Sequence, residues 1–92
     1  MIKWNSIIVL SAKITKSIIE QILKSTPGVN DKISASDIEI KIQSFIYITI
    51  NVSIDETQVN VLETAKMIQK QVFYDLTDKT DLKNFKIDIF LK

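Results

Sequence analysis

Between Ile38 and Ile54 the chain alternates isoleucine or valine with polar residues more regularly than anywhere else. Ile38, Ile40 and Ile42 are interleaved with Glu39, Lys41 and Gln43. Ile46, Ile48, Ile50, Val52 and Ile54 are interleaved with Tyr47, Thr49, Asn51 and Ser53. Successive side chains of a strand point to opposite faces, so a sustained period of two specifies two strands with one buried face. Residues opposed across a hairpin must share a face. Pairing Ile42 with Ile46 meets that condition and leaves Gln43-Ser44-Phe45 as a three-residue turn. Such turns favour glycine at a left-handed position, and none stands here.

Helical spacing flanks this hairpin. Ile14, Ile18, Ile19, Ile22 and Leu23 form a stripe, with Lys13, Lys16, Glu20 and Lys24 facing the other way. This predicts an amphipathic helix from about Ala12 to Ser25, with Ser11 as its N-cap. Pro27 disfavours helical geometry at Thr26 and ends it. Pro27 and Gly28 are the only proline and the only glycine of the chain. Their order fits a type II turn, in which proline presets the first central position and glycine accepts the positive φ of the second. Val29–Ser36 and Asp55–Gln58 read as polar loops.

Asn60, followed three residues later by Glu63, marks a second helix start with a capping-box pattern. Val61, Ala65, Ile68, Val72 and Leu76, flanked by Leu62 and Phe73, predict that helix from about Val61 to Leu76. Phe85, Ile87, Ile89 and Leu91 then alternate with Lys86, Asp88 and Phe90 as a last strand. The short apolar run Ser6–Leu10 is the candidate for an additional first strand. Trp4, ahead of it, is read as a rim residue packed over the end of an element. The order is (β)αββαβ. It describes one α+β domain over residues 1–92, with two amphipathic helices on one face of a three- or four-stranded sheet. With the first strand formed, the order would be that of a ferredoxin-like split βαβ.

Composition narrows the chemistry. Without cysteine or histidine the chain has no disulfide, no thiol nucleophile, no imidazole base and none of the usual zinc sets. A single glycine leaves no phosphate-cradling loop. Carboxylate pairs such as Asp37 with Glu39, or Asp55 with Glu56, read as solvated acids on loops and a strand face, so no catalytic residue is assigned. Neither a cofactor nor a small-molecule substrate is evident. The basic residues are all lysine, and with 12 of them against 11 acids the net charge is +1. A nucleic-acid surface needs a basic face, which this scatter does not make. Ile7–Leu10 is too short for a signal sequence core or a membrane span, and the expected location is cytoplasmic.

The polar side of the sheet carries the remaining candidates. Phe45, Tyr47, Thr49, Asn51 and Phe90 fall on or beside a face that neither helix covers. Large aromatics there read either as isolated surface residues or as a contact surface for a protein.

The segment Leu10–Val29, "LSAKITKSIIEQILKSTPGV", resembles the opening of the bacterial alkaline shock protein family, also called the envelope stress response family. The likeness lies in Leu10, Ser11, the Ile14/Ile18 stripe and the Thr26-Pro27-Gly28-Val29 turn. Asn60, Glu63, Ala65 and Gln69 are similar to the family's second helix. The resemblance runs from about Leu10 to Leu91, and Ser11, Pro27, Gly28, Asn60 and Glu63 are its structural signature. The glycines that end strand three and follow helix two in many members are missing. What the resemblance implies is a small, non-enzymatic scaffold or regulator. It would act through self-association or a partner protein, reaching the inner membrane face only through an anchor protein. Alternatives are an RNA-binding or ribosome-associated α/β module, and a regulatory subunit of a lipid-metabolism enzyme.

Overall fold

A computed structural model describes residues 4–30, 32–80 and 84–92. Its elements are helix α1 (Trp4–Ser25), a 3-10 turn (Ala35–Asp37), strands β1 (Ile38–Ile42) and β2 (Ile46–Val52), helix α2 (Val61–Lys79) and strand β3 (Phe85–Leu91). The sheet order is β1-β2-β3, with β1 antiparallel and β3 parallel to the central β2. This is an α+β fold with three strands among the described residues.

The alternation sets the register. Ile38, Ile40 and Ile42 oppose Ile50, Ile48 and Ile46, and Ile48 lies beside Ile87 of β3. All the isoleucines therefore share one face. There Ile38, Ile48, Ile50, Val52 and Ile87 form a single core with Ile19, Ile22 and Leu23 of α1 and Ile68, Val72 and Leu76 of α2. The Gln43-Ser44-Phe45 turn closes with no residue at positive φ, and the Gln43 N–H donates to the Phe45 carbonyl at 3.0 Å.

The first strand expected at Ser6–Leu10 is not formed. Those residues belong to α1, which begins at Trp4. A run of four apolar residues fits a buried strand or a helix equally well. Here neither glycine nor proline separates it from the helix that follows, so the helix propagates backwards through it. Ser11 consequently lies inside α1 and is no N-cap. The side chain of Trp4 lies outside the described part of the structure. The buried stripe also differs by one position. Thr15 is fully buried, and Ile14 is 45% exposed.

Helix α1 stops at Ser25 as proline requires. The Thr26 carbonyl accepts from the Val29 N–H at 3.3 Å, and Gly28 has φ +85°. This matches the expected turn. The turn is then pinned to the end of the sheet. The Gly28 carbonyl accepts from Asp55 N–H at 2.7 Å, Asn30 N–H donates to Ser53, and Val29 bridges Ile54.

The second helix starts where expected. Asn60 Oδ1 accepts from the Glu63 N–H at 3.0 Å, satisfying one of the free donors of the first turn. The Glu63 side chain makes no return bond, so only half of a capping box is present. The helix continues past Leu76 to Lys79, where the Leu76 carbonyl takes the N–H and hydroxyl of Thr80. Asn84 then enters β3 at φ 58°, a left-handed conformation that asparagine tolerates.

Asp37 departs from the solvated role expected of it. It sits in the 3-10 turn, buried, with Oδ2 accepting from the Ser34 N–H at 2.9 Å and Oδ1 2.6 Å from Lys92 Nζ. The hydrogen bond from Lys92, aided by that of Ser34, holds its carboxyl below the usual aspartate range. Asp55 is lowered too, by the Thr57 hydroxyl first and the Thr57 N–H second. Carboxylates depressed in the folded state stabilise it above their unfolded pKa, near 4, and that contribution is lost as pH falls through the folded values. The melting temperature is therefore expected to fall on acidification below about pH 4. The fall should be shallower in an Asp37→Asn/Asp55→Asn variant. Equal slopes in thermal melts across that window would count against the assignment.

Candidate interaction face

With the isoleucines turned towards the helices, the intervening residues form the opposite surface of the sheet. Register arranges them in rows. Lys41, Tyr47 and Lys86 make one, Glu39, Thr49 and Asp88 the next, and Asn51 with Phe90 a third. Tyr47, Thr49 and Asn51, on the central strand, are half-buried by their neighbours. Phe90 on β3 is 55% exposed, and Phe45, in the hairpin turn at the end of the face, is 52% exposed. The structure thus brings four of the five expected residues onto one strand face, with Phe45 at its edge. Both helices pack on the other side.

Electrostatically the face is balanced. Tyr47 lies between two lysines, and the next row carries Glu39 and Asp88. Lys41 Nζ is 3.6 Å from Glu39 Oε1 along the same strand. An aromatic ring among charges of both signs offers apolar area with a polar handle, a composition that suits protein contacts.

The structural signature residues lie elsewhere. Pro27 and Gly28 stand at the end of α1, and Asn60 and Glu63 at the start of α2. A shallow polar cleft beside Gly28 is lined by Asn30, Ser53, Asp55 and Gln58. Its one carboxylate, Asp55, is engaged by the Thr57 N–H and hydroxyl and by Gln58 Nε2. The cleft is therefore a closed loop network around the turn. No group of three or more acids able to hold a metal occurs among the described residues. No helix among them is long and apolar enough to cross a membrane.

One surface was not anticipated. On α2, Leu62, Phe73 and Tyr74 are exposed, although Leu62 and Phe73 flank the expected buried stripe. Phe73 meets Phe85 with ring centroids 5.4 Å apart. Beside them Gln69 Nε2 donates to the Ile87 carbonyl of β3 at 2.8 Å. Gln69, Phe73, Tyr74, Phe85 and Ile87 line a groove between α2 and β3, away from Leu62. The one signal in the sequence was the adjacent pair Phe73-Tyr74, too wide for a single helical stripe.

Compared with family models, with curated proteins and with solved structures, the chain finds no match.

Proposed function

We propose that this chain is a non-enzymatic protein-interaction domain, a scaffold or regulator of the kind that its resemblance to the envelope stress response family implies. It works in the cytoplasm and holds a protein partner, a second copy included, against the outer face of its sheet. The observation that carries this reading is the helix-free row structure with Tyr47 on its central strand and Phe90 at its margin. Single exposed apolar residues are ordinary on any surface. Aromatics on one rigid sheet face, among charges of both signs, have the make-up of a contact surface.

Replacing Tyr47 and Phe90 together by lysine is expected to abolish partner capture and any self-association made through this face, while leaving the melting temperature close to that of the parent chain. Sedimentation velocity and affinity capture from cell extract measure the two effects. If both are unchanged in the variant, the outer face is not the contact surface.

A nucleic-acid reading has one observation in its favour, the Lys41–Tyr47–Lys86 row, which sets an aromatic between cations. The adjoining Glu39–Thr49–Asp88 row opposes it with negative charge. Salt-dependent retention of single-stranded RNA on a filter would favour that reading, and none at low salt would close it.

A further inference from the structure

We infer that β3 is a pairing edge for a second copy of this chain, forming an antiparallel β3–β3 contact centred on Ile87 that joins two sheets into one of six strands. Hydrogen-bond direction shows what the edge offers. Lys92 N–H donates to Val52 of β2, and Asn84 accepts from Ile46 N–H, so the even-numbered residues of this segment aim at β2. The N–H and carbonyl groups of Phe85, Ile87, Ile89 and Leu91 consequently point away from the sheet. Gln69, reaching from α2 to the Ile87 carbonyl, confirms that this carbonyl faces outward. A carbonyl has two lone pairs, so that bond is compatible with a further donor.

Charge selects the register. In an antiparallel pair related by a two-fold axis through Ile87, Lys86 of one copy opposes Asp88 of the other, and the reverse contact repeats it. Phe85 opposes Ile89 on the core side. Shifting the axis to Asp88 would set aspartate against aspartate, and shifting it to Ile89 would set Lys86 against Lys92. An axis at Phe90 would set Asp88 against Lys92, whose ammonium Asp37 already holds, so only the Ile87 register pairs charges that are both free of another partner. Lys86 and Asp88 have no ion-pair partner within 4.0 Å among the described residues.

The other edge has a similar charge pattern in Glu39 and Lys41, but those two already pair with each other. The β3 edge is also two residues longer. It runs beside Phe73 and Tyr74 of α2; Phe73 packs on Phe85, which opposes Ile89 of the second copy, so each copy's rings would face the other's β3 on the helix side. A strand edge alone falls short of the roughly 800 Å² per partner of a specific interface, and these two rings add apolar area to it. The pairing uses a different surface from the outer face, and its variants leave Tyr47 and Phe90 untouched.

Sedimentation equilibrium on the full chain tests the inference. The parent chain is expected to dimerise in the micromolar range. Lys86→Glu should raise the dimer dissociation constant roughly tenfold, because two symmetry-related pairs turn from attractive to repulsive. Lys86→Glu/Asp88→Lys should restore it. Ile89→Pro, which removes an outward N–H and no ladder bond, should give a monomer, with circular dichroism confirming the fold. Should Ile89→Pro fail to fold, the charge series decides alone. A parent chain that stays monomeric, a Lys86→Glu variant that dimerises like the parent, or a double variant that is not restored would overturn the inference. A monomeric parent chain that still captures a partner through Tyr47 and Phe90 would overturn it while sparing the proposed function.

Discussion

Ile48→Ala is expected to destabilise the domain by about 2–5 kcal/mol, the cost of emptying a filled core site. Ile48 is fully buried at the middle of the central strand, opposite Ile40 on one side and beside Ile87 on the other. Both helices close over that face, so the site has little freedom to collapse around the missing atoms. A domain of this size has only about 5–15 kcal/mol of stability, and the substitution removes a large part of it. The same alternation supplies a control. Ile42→Ala lies on the same face at the hairpin end, 42% exposed, and should cost less than about 1 kcal/mol. Urea titrations measure both. Equal losses would mean that burial does not follow the alternation as described.

Gly28→Ala is expected to cost about 2–3 kcal/mol, for two separable reasons. At φ +85° any residue with a Cβ is strained. A Cβ built there would also lie 2.4 Å from Val59 Cγ2 and 3.1 Å from Cγ1, closer than real atoms approach. The Gly28 backbone cannot retreat freely, because its carbonyl holds the Asp55 N–H. Gly28→Ala/Val59→Ala should remove the steric component and leave the conformational one. Relative to Val59→Ala, the alanine at 28 should then cost about 1 kcal/mol. A single variant within 0.5 kcal/mol of the parent, roughly the size of an ordinary surface change, would contradict the turn geometry. The Pro27-Gly28 pair is therefore a structural joint. It turns α1 back and ties the chain to the end of β2.

These two sites also show how far local sequence reaches. The alternation alone specifies the hairpin, its pairing Ile42 to Ile46 and the face that becomes core, because a one-residue slip would turn every isoleucine to water. The Pro-Gly order specifies the turn because each residue has one strong backbone preference. Asn60 announces α2 through a bond made within its own first turn. The start of α1 is different. Ile7–Leu10 carries no period long enough to separate strand from helix, and the deciding fact is the absence of any break before Ala12. Asp37 was illegible for another reason. Its partner Lys92 is brought to it only when β3 docks beside β2.

The outer face was legible in outline. Tyr47, Thr49 and Asn51 follow from the strand period, and Phe90 from the same period in β3. Their grouping into rows depends on β3 lying parallel to β2 in a particular register, which no local pattern encodes. The exposed Phe73 and Tyr74 were hidden by the opposite effect. A helix rich in apolar residues offers more of them than one face can bury, and packing decides which remain outside.

The most direct test of the interaction reading maps the contact residue by residue. A partner recovered by affinity capture is titrated into the isotope-labelled chain, and amide chemical shifts are followed by nuclear magnetic resonance. The account predicts that the perturbed amides cluster at Phe45, Tyr47, Thr49, Asn51 and Phe90, with the exposed positions of α1 and α2 unmoved. Perturbations confined to the helices, with those five amides unchanged, would contradict it.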